Sequence, residues 1–488
     1  MGDVFNRANL TIPQENIWLI EELNSNTNIN NIFGTFRIKQ KLNLKILNQV
    51  MNKIVEKNDA LRLRINVENN KPYQYITEYK YEEFKTYILD DNTDKAFDKI
   101  INKIAGQRFE ILNNKLYDIQ ILQNKIETCV CVKTHHIISD AWTLGQVAEQ
   151  IKSYYLKILN NEKIENNPSY INYINKDIKY RGSDKFLIDK EYWDEYVKEL
   201  NCENNFEISR DKKSKRIRKP IDIAVYNKIH NFCEKNKISE YTFFLAVISI
   251  YFSKIFNKTN IVIGTPFLNR RKADNEFETM GMFIATLPIN VDTRKEKGFI
   301  EVCREINATN MQCFRHSRYP YSEIQKSYQD FTKENINLYE IAFSYQINKL
   351  EIAIKGDKGE TTWISNDTQA NPLLISYVNH FGEHNLYYDY IIKSINSNDI
   401  DNAHDRIMHM IEQIVNSETI KIEEISILSN EDVTLLKKFN NTGKIEKSSE
   451  TIISRFNEVV LKNKNRVAVA CGENKLTYAE LNDRFNNC

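Results

Sequence analysis

No Cys-x-x-Cys spacing occurs among the eight cysteines, at 129, 131, 202, 233, 303, 313, 471 and 488. That argues against a zinc ribbon or a dithiol redox motif and reads as buried or incidental thiols in a reducing compartment. Excess charge of either sign is also missing. With 67 Lys and Arg against 66 Asp and Glu, the net charge is +1, so the total calls for neither nucleic acid nor an anionic membrane surface. The longest uncharged apolar run, Tyr241 to Phe252, has 12 residues, short of the ~20 a membrane-spanning helix needs. The opening MGDVFNRANL has no apolar h-region, and Asn6 stands where a myristoylation signal wants Ser or Thr. Neither a solenoid-period repeat nor a low-complexity tract is present. The expectation is a cytoplasmic protein without a membrane span or a nucleic-acid partner. A hydrophobic share of 41%, with 24 Phe and 26 Tyr, supports packed cores rather than disorder. A chain of 488 residues exceeds one core and predicts two to four units.

One octapeptide stands out, HHIISDAW from His135 to Trp142. With 8 His in 488 residues, an HHxxxD string has a chance expectation on the order of 0.01 per chain. It follows an alternating run, Thr128 to Thr134, and precedes a helical pattern, Thr143 to Leu159, so the histidines belong in a strand-to-helix turn. Such a turn can aim side chains into a cleft. A satisfied polar cluster or a metal site are the competing readings. The metal reading suffers because adjacent residues on extended backbone face opposite ways and no Cys or Glu stands nearby at ligand spacing.

Taken in order, Pro13 opens a helix with Thr11 as its cap. Asn31 to Lys39 alternates as a strand, and Leu42 to Glu56 has helical spacing. Leu61 to Val67 alternates strictly and predicts a strand with Arg62 and Arg64 on one face. One of them could look into a cleft; the alternative is a solvated face. Leu116 to Leu122 and Ile126 to Val132 flank a polar turn and predict a hairpin that delivers His135 and His136. The basic run Arg210 to Lys219 reads as a solvated loop, with a carrier-docking patch as the alternative. Ile221 to Lys235 reads as an amphipathic helix, and Ser239-Glu240 caps an apolar helix through Phe256. Strand Ile261 to Phe267, helix Phe299 to Arg315 and strand Tyr339 to Ile347 follow. A hairpin turns around Phe381-Gly382, a helix covers Ile407 to Ile414, and Asn430 to Ser449 reads as a polar link.

HHIISDAW resembles the HHxxxDG signature of nonribosomal peptide synthetase condensation domains, and the family's other landmarks follow in its order. LTIPQENIW (Leu10 to Trp18) resembles the opening motif and KNDALRLRI (Lys57 to Ile65) the second. SYINYI (Ser169 to Ile174) with EYW (Glu191 to Trp193) is similar to the fourth, and IGTPFLNRR (Ile263 to Arg271) with MGMFIATLPI (Met280 to Ile289) to the fifth. RHSRYPYSEI (Arg315 to Ile324) and YEIAFSYQI (Tyr339 to Ile347) resemble the sixth and seventh. Ala141 departs from the family's usual Gly and Ala285 from its commonest Asn. LTYAEL (Leu476 to Leu481) resembles the first core motif of adenylation domains, cut off at Cys488, with no Gly- and Ser-rich phosphate loop and no carrier-type Ser motif.

The resemblance implies an α/β fold similar to chloramphenicol acetyltransferase, a two-lobed pseudo-dimer with an active-site tunnel between lobes. The expected organisation is 1–180 as N-terminal lobe, 181–429 as C-terminal lobe, 430–449 as linker and 450–488 as the start of an adenylation domain. It implies His136 as the catalytic residue with His135 supporting it, Asp140 as a structural anion paired with Arg270 or Arg62, and Ala141, Trp142, Met282, Phe283 and Tyr345 along the tunnel. No metal is implied. The substrates would be an acyl-CoA or acyl thioester and an aminoacyl thioester, carried on the 4'-phosphopantetheine arms of donor and acceptor carrier proteins (or on CoA), with no cofactor bound covalently to this chain. A downstream adenylation domain would be a further partner. Because the chain begins directly with condensation motifs, and LRLRI, MGMF and RYPY look like starter members, a starter domain that N-acylates an amino acid in lipopeptide synthesis is expected. The alternatives are an elongation domain and, in another class, an inactive recruitment module; intact His135, His136 and Asp140 weigh against the last. An epimerase lacks support in the second-lobe signature, and a heterocyclase would replace the His pair with Asp.

A thioester is already activated, so the catalyst must hold two reactants together and remove one proton from the attacking nitrogen. An imidazole with a pKa near ~6.5 is neutral at cellular pH and suits that task. Asp140 lies too far along the turn to share the nucleophile with His136. If position 141 required positive φ, Ala would be strained there by ~1–2 kcal/mol; we expect a negative φ.

Overall fold

The computed structural model describes residues 7–348, 352–354, 357–380, 382–441 and 451–487. Its centre is a strand in which local pattern and packing agree. Thr128–His135 is buried at every position, flanked in an antiparallel arrangement by Asn31–Ile38 on one side and Tyr117–Gln123 on the other. The β-branched residues on this strand suit a pleat covered on both faces. The helices Leu44–Lys57 and Ala141–Leu159 pack together over it. Cys129 and Cys131 share one face, their sulfurs 4.0 Å apart, as period-2 alternation requires.

The first six-stranded sheet runs 352–354, 357–364, 31–38, 128–135, 117–123, 85–88. The second runs 285–292, 260–267, 341–348, 373–380, 383–391, 214–220. Each has its own large apolar core. The second core is built on the helix Glu240–Phe256, whose residues 242 to 253 are all buried; a helix apolar on every side has to be central.

Four expectations change. Asp59–Arg62 is a 3₁₀ turn, and the strand begins only at Leu63. The Arg62 guanidinium donates to the carbonyls of Val55, Glu56 and Thr77, which closes the end of the preceding helix and removes Arg62 from the strand face. The basic run is no loop from Ser214 onward: Ser214–Pro220 is the edge strand of the second sheet. Its Arg216 pairs with buried Asp389 and Arg218 with Glu383, and charged residues on an edge strand discourage further pairing. Asn430–Phe439, expected as polar link, is helical. Finally, a clean split near residue 180 fails, because two segments of the second half join the first. Strand 357–364 pairs with 31–38 in the first sheet, and Met280, Met282 and Phe283 sit in the first core. The predicted turn at Phe381 lies outside the described residues; Gly382 beside it has φ +86.

Contacts divide the chain into one unit ending at Ser429 and another beginning at Asn430. The second unit holds the helix Ile452–Asn463, a hairpin of Val467–Cys471 with Asn474–Thr477, and the helix Tyr478–Asn486. Thr477 and Glu480 form a capping box at that last helix.

Gly281 shows how close the crossing segment approaches the first core. Its φ is +148, and an added Cβ would lie 2.2 Å from the Tyr170 ring. Gly281→Ala is expected to lower unfolding free energy by roughly 3 kcal/mol, from backbone strain and overpacking together. Urea denaturation would check it, and an unchanged midpoint would contradict the contact.

Candidate active site

Strand Thr128–His135 ends in a single 3₁₀ turn, His136–Ile138, and the helix Ala141–Leu159 starts three residues later. The turn is held from several directions. His136 N–H donates to Asn30 O at 2.7 Å. The Gln14 amide, fully buried, donates to Ile137 O at 2.9 Å. Gln14 in turn is set by the T-x-x-Q capping box it forms with Thr11, its Oε1 accepting Thr11 N–H at 2.9 Å.

His135 faces the interior. Its Nδ1 accepts the Ile137 N–H at 3.2 Å, so the ring proton belongs on Nε2, which stands 3.3 Å from Glu21 Oε2. Burial alone would raise the Glu21 carboxyl, but hydrogen bonds from His135 and Asn30 outweigh it and hold the carboxyl below its ordinary value. Replacing Glu21 by Leu is expected to loosen this turn and slow any reaction at it by about tenfold, with Glu21→Gln, which still accepts from Nε2–H, recovering most of the rate. Steady-state kinetics of the two variants decide this, and equal rates for both would remove the positioning role.

His136 differs from its neighbour. It is half-buried, and its Nδ1 is buried with no hydrogen-bond partner. Burial pushes its pKa below the ordinary 6.5, against an opposing pull from Asp140. The ring is therefore neutral at pH 7.

Asp140 and Arg270 have fully buried side chains and form a two-point pair at 2.8 and 2.9 Å through Nη2. Asp140 also caps the helix Ala141–Leu159: its Oδ1 accepts the Thr143 N–H at 2.8 Å and the Thr143 hydroxyl at 3.0 Å. These fixed donors occupy both oxygens of the carboxylate. Arg270 Nη1 donates to Glu276 O and Thr279 O at 2.5 and 2.6 Å, and its guanidinium lies 4.0 Å over the Phe283 ring. Asp140 follows the first-half turn and Arg270 follows second-half strand 260–267, so this pair fastens the crossing segment to the start of the helix.

The remaining expected residues fall in different places. Arg62 is not bonded to Asp140; its Nε and Nη1 donate to the three carbonyls already described. Ala141 is the first residue of the helix, exposed, and not among the residues of positive φ. Trp142 is 38% exposed and donates through Nε1 to Phe277 O at 2.9 Å, gripping the crossing segment. Met282 and Phe283 are sealed in the first core rather than lining an open passage. Tyr345 is brought together with other second-half groups, its hydroxyl on Glu240 at 2.8 Å and its ring stacked on Tyr377 at 4.6 Å. Sequence reasoning missed Gln14, Glu21, Thr143 and Tyr170, which hold the turn and the crossing segment. For Gln14 the T-x-x-Q pattern was an available signal; for Glu21 there was none. Among the described residues, no group of three or more His, Cys, Asp or Glu is placed to hold a metal ion, and no single helix is long and apolar enough to cross a membrane.

Comparison with known proteins fits this geometry. The chain is 27% identical over 97% of its length to a plipastatin synthase of Bacillus subtilis (strain 168), and 24% identical over 97% to surfactin synthase subunit 1 of the same organism. It spans 19% and 14% of the length of those two proteins. Among solved structures, a starter condensation domain of rhizomide synthetase in complex with C8-CoA superposes with a TM-score of 0.76 at 16% identity, covering 86% of this chain and 98% of that one. The first condensation domain of the calcium-dependent antibiotic synthetase, in complex with a substrate analogue, gives 0.75 at 13%, covering 87% and 100%. The fold is thus the mixed α/β fold of condensation domains, similar to chloramphenicol acetyltransferase. With residues 5–436 matching the family described as Condensation domain, the chain belongs to the condensation domain family, the amide-forming acyltransferases of nonribosomal peptide synthetases.

Proposed function

We propose that this domain joins an acyl thioester to the amine of an aminoacyl thioester with His136 as the proton acceptor, and that it acts as a starter, N-acylating the first amino acid of a lipopeptide. The observation that carries the reading is the contrast within the histidine pair: His135 is buried with both ring nitrogens engaged, whereas the His136 ring is only half-buried, on a turn fixed by Gln14, Asn30 and Asp140.

In the reaction the amine nitrogen forms a bond to the thioester carbon, its proton passes to His136 Nε2, and the C–S bond breaks. The imidazolium then returns the proton to the leaving thiolate. Asp140 and Arg270 keep the turn and the crossing segment in register and take no part in proton transfer. The two substrates ride on phosphopantetheine arms of a donor and an acceptor carrier protein, or the donor rides on CoA, and they meet in a tunnel between the lobes. Residues 450–488 read as the start of an adenylation domain, and the setting is cytoplasmic. The starter assignment is supported by the likeness to a starter domain with C8-CoA and to two synthases whose names are those of plipastatin and surfactin. Elongation is the second reading, since a likeness at 16% identity carries the shared fold and not the subtype.

Offering fatty acyl-CoA, acyl-carrier and peptidyl-carrier donors side by side to an aminoacyl-carrier separates these readings by product mass. Products from the fatty acyl donors are expected; products from the peptidyl donor alone would establish elongation, and none from any donor would leave a recruitment module. The pH profile adds a check. A base must be neutral, so the rate falls as pH drops through the His136 pKa, and burial places that midpoint below 6.5. An acid limb centred above that value would contradict the assignment.

A further inference from the structure

We infer that a cavity of about 350 Å3 in the second lobe, walled by Thr265, Phe267, Leu268, Arg270, Asn310 and Phe314, binds an apolar substrate substituent of medium length that bears one hydrogen-bonding oxygen. The inference rests on the condensation reading and names the class of substituent that it selects.

The cavity opens where strand Asn260–Phe267 ends and the helix Phe299–Arg315 runs past it. At ~30 Å3 per small group it holds roughly ten non-hydrogen atoms, the low end of the ~300–1,000 Å3 of small-molecule sites. Its walls are mostly apolar, with Phe267 and Phe314 stacked at 6.2 Å. One polar atom stands among them: Asn310 Nδ2 is buried and lacks a hydrogen-bond partner. Buried polar atoms are nearly always satisfied, and one left over asks for a ligand. The Tyr241 hydroxyl donates to Asn310 Oδ1 at 3.3 Å, which fixes the amide and leaves Nδ2 as the free donor. An oxygen on an otherwise apolar chain would meet it.

Its position ties the cavity to the reactive turn. Arg270 is among the lining residues, and its guanidinium holds Asp140. Phe277 is another, and its carbonyl receives Trp142 Nε1–H from the first turn of the helix after the histidines. A substituent seated here belongs either to the acyl donor or to the acceptor's side chain, and the two sources share the same chemistry.

The test measures equilibrium binding by calorimetry with N-acetylcysteamine thioesters: octanoyl and 3-hydroxyoctanoyl as donor probes, leucyl and glutaminyl as acceptor probes. The wild type is expected to bind the oxygen-bearing member of one pair about tenfold more tightly. Asn310→Leu should erase that preference, and Leu268→Trp, at a half-exposed position, should weaken both members of the same pair by at least tenfold. The pair that responds identifies the source. Binding of all four probes unchanged in both variants would overturn the inference. Condensation of an acetyl donor with a glycyl acceptor, both too small to fill the cavity, is measured alongside. Its presence with insensitive binding sinks the cavity alone; its absence with discrimination intact sinks the condensation reading alone.

Discussion

His136→Ala is expected to lower turnover by about 10²–10⁴-fold, the range spanned by loss of a positioned general base, while KM for both carriers changes little. The distinction follows from placement. The ring is half-buried and makes no side-chain hydrogen bond through Nδ1, so its removal takes away the proposed proton acceptor without dissolving a core. His135→Ala should behave differently, because His135 is buried against Glu21 and Phe109 and its loss undermines the turn that carries His136. Turnover and thermal midpoint measured together separate these cases: His136→Ala should lose rate at nearly unchanged stability, and His135→Ala should lose both. Wild-type rates from His136→Ala, with folding verified, would end the catalytic assignment.

Arg270→Met is expected to be the most destabilising single change considered, at ~3–5 kcal/mol, because it strands the Asp140 carboxylate in a place water does not reach. The pair is buried on both sides, so solvent screening offers little relief. The double variant Asp140→Asn with Arg270→Met should recover most of that loss, since Asn still caps the helix at Thr143 and carries no charge to leave unpaired. Chemical denaturation of the two single variants and the double forms a cycle that reads the coupling directly. Simple additivity would show that the pair contributes nothing beyond its separate members.

Much of the site's local chemistry could be read from residue order. The strand-to-helix turn around HHIISDAW, the cap at Thr11 and the hairpin that feeds the turn all depend on contacts between near neighbours, and alternation or capping pattern reports such contacts. The negative φ at Ala141 follows from the same logic, since a first helical turn tolerates Ala. Arg62 shows where the method stops. Strict alternation from Leu61 to Val67 is indistinguishable from a 3₁₀ turn followed by a strand, and only the nearby free carbonyls of the preceding helix decide between them. Tyr345, Met282 and Phe283 were assigned to a passage by their motif positions. Their surroundings, Glu240 and Tyr377 for the first and the opposite core for the other two, depend on which distant segments pack against them.

Periodicity and motif order were thus sufficient for the family, for most element types and for Asp140 as one member of a buried ion pair whose partner stayed open between Arg270 and Arg62, because each is a property of a short stretch or of an ordered set of stretches. Three things required the folded chain: the strand 357–364 entering the first sheet, the passage of Gly281 beneath Tyr170, and the difference in exposure between two adjacent histidines. Each is settled by long-range packing, where burial and close approach depend on which distant surface arrives. Nothing within a single segment encodes which neighbour that will be.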